Sequence, residues 1–179
     1  ILNASHPDIE EFIWCKSREE KKARALRDAG FDMDLDGADS FSVQYQNANN
    51  SVRVTDEFMQ AVKDDADWNL TAVKDGRVVR TIRARDLWRQ IATASWECAD
   101  PGLQFDTTIN KWHTAHAAGR INGSNPCSEY MHIDNSACNL ASINLLKYLN
   151  DDDTFDVESY MHTIEVMFTA QEILVGNAD

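Results

Sequence analysis

The stretch Ser124-Asn125-Pro126-Cys127-Ser128-Glu129-Tyr130, with Asn135-Ser136-Ala137-Cys138-Asn139-Leu140 shortly behind it, decides how this chain is read. Pro126 disfavours helix at Asn125 and pushes that residue toward an extended conformation. If the extension continues, the side chains at 125, 127 and 129 point to one side, spaced by roughly 6.5–7 Å per two residues. An amide, a thiol and a carboxylate would then face one small volume. The amide can hold hydroxyls, the carboxylate can take a proton, and the thiol can do nucleophilic or radical work. A nucleophilic thiolate wants a nearby cation, and between residues 121 and 146 only His132 could supply one. The surroundings suit a neutral thiol, and so hydrogen-atom transfer rather than papain-like attack. On spacing alone, a structural cysteine beside a glutamate is the plainer reading.

Working outward, Ser5-His6-Pro7-Asp8 has the form of a capping box, with Asp8, Glu10 and Glu11 in the first turn of a helix. Ile9, Phe12, Ile13, Ala23 and Leu26 continue its apolar stripe, and Gly30 is a natural stop. The charged run from Arg18 to Arg24 is its solvated face. After an Asp/Gly-rich connection over 32–39, Phe41 to Val54 alternates polar and apolar residues at both ends, like a strand. Its middle, Gln46-Asn47-Ala48-Asn49-Asn50, reads equally as an exposed turn or as amides for a polar ligand. Trp68 to Val73 and Val78 to Ile82 flank Asp75-Gly76, a strong hairpin signal. Leu87, Trp88, Ile91, Ala92 and Trp96 fall at helical spacing, and Asp100-Pro101-Gly102 breaks that helix. Gln104 to Ile109 reads as a short strand, and Leu140, Ile143 and Leu146 as a helix. Val157, Tyr160, Met161, Ile164, Met167 and Phe168 mark a last helix whose apolar stripe belongs in a core. Helices and short strands alternate, which gives an α/β class.

The 179 residues suffice for one domain with a real core, and 43% apolar against 26% charged residues is ordinary globular composition. Thirty acidic against seventeen basic residues leave a net charge of −13. That surface repels phosphate backbones, so direct nucleic-acid binding is not expected. A small anionic substrate could still bind where local donors outweigh the field. No apolar run approaches the roughly 20 residues that span a bilayer, and the start has no signal-peptide pattern, so no membrane association is expected. Four cysteines without short paired spacing suggest a reducing cytoplasm rather than a secreted disulfide scaffold. The chain opens on Ile1 rather than Met, as a fragment or processed product would.

Asn125-Pro126-Cys127-Ser128-Glu129, with Cys138-Asn139-Leu140-Ala141-Ser142-Ile143-Asn144-Leu145 behind it, resembles the catalytic finger of ribonucleotide reductases, most closely the adenosylcobalamin-dependent class. Supporting stretches are Gln46 to Val54, Cys98-Ala99-Asp100-Pro101-Gly102, Asp106-Thr107-Thr108-Ile109-Asn110 and Ala170-Gln171-Glu172-Ile173-Leu174. The similarity runs over essentially the whole chain in one order. It implies a ten-stranded α/β barrel around a finger loop, with residues 1–179 as the middle portion of that one catalytic domain. It also implies an activity, the reduction of ribonucleotides to 2′-deoxyribonucleotides.

By this resemblance Cys127 matches the cysteine that becomes a thiyl radical and removes the 3′ hydrogen. Glu129 matches the base that takes the 3′-hydroxyl proton, and Asn125 the amide that holds the ribose hydroxyls. Ser124, Asn125 and Glu129 form the substrate-contacting set. Cys138 matches one of two cysteines that reduce the 2′ carbon and end as a disulfide, its partner lying on a strand upstream of Ile1. Neither Cys15 nor Cys98 stands in a context that matches that partner. The implied cofactor is adenosylcobalamin. The implied partners are a ribonucleoside di- or triphosphate and a thioredoxin-like or dithiol reductant, with a homodimer as the assembly of the intact enzyme.

The rival from another class is a non-catalytic domain stabilised by a metal or a disulfide through Cys127, Cys138 and the histidines. Cys127, His132, Cys138 and His162 are candidate ligands, but no CxxC or HxxxH pattern arranges them, so no metal site is expected. Cys15 and Cys98 are most simply buried or half-buried thiols.

Overall fold

The computed structural model describes residues 1–177. The chain divides into two units, Ile1–Asp134 and a second beginning at Asn135.

The first unit opens with strand β1 (Leu2–Asn3) and helix α1 (Ile9–Asp28). The expected capping box does not form. Asp8 is the cap residue, but its side chain accepts no capping bond, and its backbone N–H donates to His6 Nδ1 at 3.1 Å. The Asp8 N–H that such a box would serve is taken by the His6 ring instead, and tight turns bond the N–H of His6 to Asn3 O and that of Ile9 to His6 O. The C-terminus stops where expected. Gly30 takes φ +97°, its N–H bonds to Arg27 O, and the Phe31 N–H bonds back to Leu26 O, the paired closure of a Schellman motif.

Strand β2 is confined to Ser51–Val54. The longer strand expected from Phe41 does not form, because the backbone there bonds locally and to α1. Ser40–Ser42 is a 3₁₀ turn, Glu19 Oε2 accepts the Gln44 N–H at 2.8 Å, and Tyr45 is left-handed. The amide-rich stretch is a turn, closed by Ala48 N–H to Tyr45 O at 3.1 Å. Helix α2 (Asp56–Lys63) follows, capped by Thr55 through the Phe58 N–H. The hairpin β3 (Asp67–Thr71) and β4 (Val78–Arg83) forms as expected, with Gly76 at φ +71° in its turn. Helix α3 (Ala84–Cys98) ends in a left-handed Ala99.

Strand β5 (Gly102–Phe105) starts and ends earlier than the sequence suggests, and Asp106 opens a short helix, α4 (Asp106–Lys111). β1, β2 and β5 form a parallel sheet in that order. Alternation along β2 and β5 gives this sheet two different faces. Val52 and Val54 join Ile9, Ile13, Phe58, Leu70, Leu87 and Ile91 in one apolar core, with Leu103 packed against it. Phe58 meets Trp68 edge-on at 5.1 Å between ring centroids. The opposite face carries Arg53 and Gln104, neighbours in register and both almost wholly buried. The unit closes with β6 (Ile121–Ser124) paired antiparallel to β7 (Met131–Ile133).

In the second unit, residues 136–144 have no regular secondary structure, so the helix expected around Leu140 and Ile143 does not form. A 3₁₀ turn at Leu145–Tyr148 leads to helix α5 (Val157–Gly176), capped by Asp156 through the Ser159 N–H. Tyr148, Phe155 and Tyr160 cluster at its start. The helix is where the pattern puts it, but its stripe is not core: no residue of α5 is buried, and Met161 and Phe168 are exposed. The loop and single turn of this unit supply no second layer to cover it. Among the described residues there is an α/β arrangement of a parallel sheet and two hairpins, without a closed barrel, and no helix is long and apolar enough to cross a membrane.

Candidate functional site

Of the sequence-predicted residues, Ser124 ends β6, and Asn125, Cys127 and Glu129 lie on the connection between β6 and β7. The extension expected beyond Asn125 does not form. Asn125 to Ser128 is a β-turn closed by the Ser128 N–H to Asn125 O at 3.1 Å, with Ser128 left-handed at φ +66°. The simple alternation that would aim 125, 127 and 129 to one side is therefore replaced by a tight turn. Turn formation wins because Pro126 suits the second position of a β-turn as well as it suits a strand.

Asn125 closes the base of this loop twice. Its backbone N–H donates to Tyr130 O at 3.1 Å, and its side-chain Oδ1 accepts the Tyr130 N–H at 2.9 Å. The Nδ2 group is the part of this side chain left to meet a ligand. Cys127 and Glu129 are exposed on the loop, while Ser124 and Asn125 are half-buried at its root. A thiol and a carboxylate two residues apart at an accessible turn can meet a substrate together.

Cys138 belongs to the second unit, where it is exposed. Its neighbour Asn139 is held to α5 by a reciprocal pair of bonds: Asn139 Nδ2 donates to Gln171 O at 3.1 Å, and Gln171 Nε2 donates to Asn139 O at 3.2 Å. The structure thus brings three of the five predicted site residues onto one loop, sets Ser124 at the end of the strand leading into it, and places Cys138 on a separate, anchored segment.

The residues that anchor the β6–β7 loop were not among the sequence-predicted site residues. Gln104 Nε2 donates to both Ser124 Oγ (2.7 Å) and Ser128 Oγ (2.9 Å). Asn110 on α4 takes both backbone groups of Ile121, accepting its N–H at 3.0 Å and donating to its carbonyl at 3.2 Å. Asp106 pairs with Arg53 on one side and Arg120 on the other. Burial pushes the Arg53 guanidinium below its usual value, and the adjacent Asp106 opposes that shift. A signal for this cluster was present: Arg53 and Gln104 are polar residues set between apolar ones in short strands, the mark of a second, polar sheet face.

A cleft of about 590 Å³ opens beside this cluster, lined in part by Asn3, His6, Arg53, Asp106, Arg120 and Asp134. Such a charged lining suits polar groups and not a corrin ring. All four cysteines are unpaired, and among the described residues no group of three His, Cys, Asp or Glu side chains is placed to hold a metal. Cys15 accepts from Asn50 Nδ2 at 3.2 Å and Cys98 lies by the Asp100 carbonyl; burial raises both thiol pKa values.

Residues 1–179 match the family described as ribonucleotide reductase, barrel domain. The chain belongs to that family. It is 57% identical to the vitamin B12-dependent ribonucleotide reductase of Streptomyces coelicolor over 183 residues, covering 100% of this chain and 19% of that protein. The protein of the same name from Rhodopirellula baltica is 49% identical over 179 residues, 99% of this chain and 17% of its own. A vitamin B12-dependent ribonucleoside-diphosphate reductase of Thermoplasma acidophilum is 34% identical over 164 residues, 92% of this chain and 18% of its own. The chain therefore spans about a fifth of the length of the curated relatives it matches. The metal- or disulfide-stabilised alternative is not favoured by these relatives.

Proposed function

We propose that this chain is part of the catalytic barrel of a cobalamin-dependent ribonucleotide reductase, and that the β6–β7 loop is its finger. The observation that carries the reading is the similarity to vitamin B12-dependent reductases along the whole chain, with Asn125, Cys127 and Glu129 on one loop. The ten-stranded barrel would be completed by the rest of the protein. Adenosylcobalamin is the proposed radical source; the relatives' names specify vitamin B12 alone.

In this reading the Cys127 thiyl takes the 3′ hydrogen, forming its S–H bond as the C3′–H bond breaks and leaving a radical at C3′. Glu129 accepts the 3′-hydroxyl proton, and Asn125 Nδ2 holds a ribose hydroxyl. The 2′-hydroxyl leaves as water. Cys138 and a second thiol supply the two electrons and end as a disulfide, and the hydrogen returns from Cys127 to C3′. Net, one ribonucleotide and two thiols give one deoxyribonucleotide, one disulfide and one water. A sugar or thiyl radical in contact with solvent would be quenched, so the exposed loop needs an enclosing barrel to work. The substrate is a ribonucleoside di- or triphosphate, the reductant is thioredoxin-like or a small dithiol, and the assembly is a homodimer in the cytoplasm.

The test is full-length protein assayed for deoxynucleotide formation with and without adenosylcobalamin. Activity on its addition supports the reading. Activity that needs a separate radical-generating subunit instead would move the protein to the oxygen-dependent class.

A further inference from the structure

Gln104 is an amide with 1% exposure on the polar face of the β1–β2–β5 sheet, directly beneath the Cys127 loop. Both N–H groups of its Nε2 are spent on that loop, one on the hydroxyl before Asn125 and one on the hydroxyl after Cys127. Its Oε1 is buried without a partner. In register beside it, the buried Arg53 has Nη2 and Nε without hydrogen-bond partners, although Nε lies 3.0 Å from Asp106 Oδ1. An orphaned acceptor and orphaned donors thus occupy paired positions, where parallel strands run about 4.8 Å apart. A bond from Arg53 to Gln104 Oε1 would join these orphaned groups. That bond would fix which end of the amide faces the serines.

We propose that Gln104 is a positioning residue for the Cys127 turn, clamping Ser124 and Ser128 to the sheet, with Arg53 setting the orientation of its amide. A buried side chain whose two bonds end on the last residue of β6 and on Ser128 in the turn is spent on the root and far side of that turn rather than on the apolar core. Ser128 needs such a hold, since a left-handed residue without glycine's freedom relaxes unless its surroundings fix it. The proposal rests on the reading of Cys127 as the radical-carrying residue.

The experiment uses the full-length reductase. Gln104→Leu nearly keeps the volume and removes both donors. Displacing a reacting group by a fraction of an ångström is costly for chemistry, so kcat should fall by about tenfold or more while KM changes by less than about threefold. Hydrogen exchange should quicken over residues 122–130 and nowhere else. Because both act through one link, Gln104→Leu/Ser128→Ala should lose no more than Gln104→Leu alone. Unchanged kcat in a folded Gln104→Leu variant, or losses that multiply in the double variant, would overturn the proposal. If Gln104→Leu fails to fold, Ser128→Ala decides: lowered kcat with faster loop exchange supports the clamp, and wild-type turnover overturns it. Cys127→Ser separates the two claims, since turnover surviving that change would end the catalytic reading while the exchange data still report on the clamp.

Discussion

Arg53 Nε lies 3.0 Å from Asp106 Oδ1, and the two side chains are 3% and 8% exposed. The pair joins the middle of the parallel sheet to the first residue of α4, and Arg120 reaches the other oxygen of the same carboxylate from the start of β6. Removing one partner of a buried pair strands a charge, which costs about 3–5 kcal/mol. Asp106→Ala should therefore destabilise the protein by that order in urea unfolding. Asp106→Ala/Arg53→Met, which removes both charges, should recover much of the loss. An Asp106→Ala midpoint equal to wild type would show that the pair holds nothing.

Phe58, fully buried against Trp68, anchors the core on the other face of the sheet. Phe58→Ala should cost about 3–5 kcal/mol, read from the same unfolding curves.

These two faces explain what was legible in the sequence. The α1, α3 and α5 helices and the Asp75-Gly76 hairpin were readable because their periodicity and turn residues are local properties. The fate of Phe41 to Tyr45 was not, because the Glu19 carboxylate and the local turn compete with strand pairing only once α1 is in place. Thr107, Thr108 and Ile109 look like a strand, yet Asp106 starts a helix there because its carboxylate is held between Arg53 and Arg120. At the site, the residues Asn125, Cys127 and Glu129 were readable but their geometry was not. Pro126 permits both a strand and a turn, and the choice is made by Tyr130 and Gln104. Gln104 itself is visible only as a polar residue between Leu103 and Phe105.

Acid should weaken the fold in a definable window. Lys21, followed by Ser17, holds the Glu97 carboxyl below its ordinary value of 4.5, and the Gln44 N–H does the same for Glu19. A lowered folded pKa stabilises above the unfolded value and is lost as pH falls through the folded one. Melting temperature should therefore be insensitive to these groups above pH 4.5 and drop below it. Glu97→Gln should flatten that drop. An unaltered acid limb in the variant would rule Glu97 out as a contributor.

Thiol chemistry separates the catalytic reading from its rival. Exposed Cys127 and Cys138 should alkylate faster at neutral pH than Cys15 and Cys98, whose burial raises their pKa values. Peptide mapping of the alkylated chain, with elemental analysis, reads this directly. Stoichiometric zinc with all four thiols protected would favour the metal-stabilised domain.

Within the reductase, Cys138→Ser should leave early radical formation intact but block turnover, because it removes reducing equivalents and not the hydrogen-atom acceptor. Rapid-freeze spectroscopy of the full-length variant, set beside its product yield, checks this split.

The most direct measurement of the central claim is product formation by full-length Cys127→Ser, supplied with adenosylcobalamin, ribonucleotide and a dithiol reductant. A serine hydroxyl cannot take the thiyl role, so the result expected is no deoxyribonucleotide above background from a folded protein. Turnover at the wild-type rate would contradict the account.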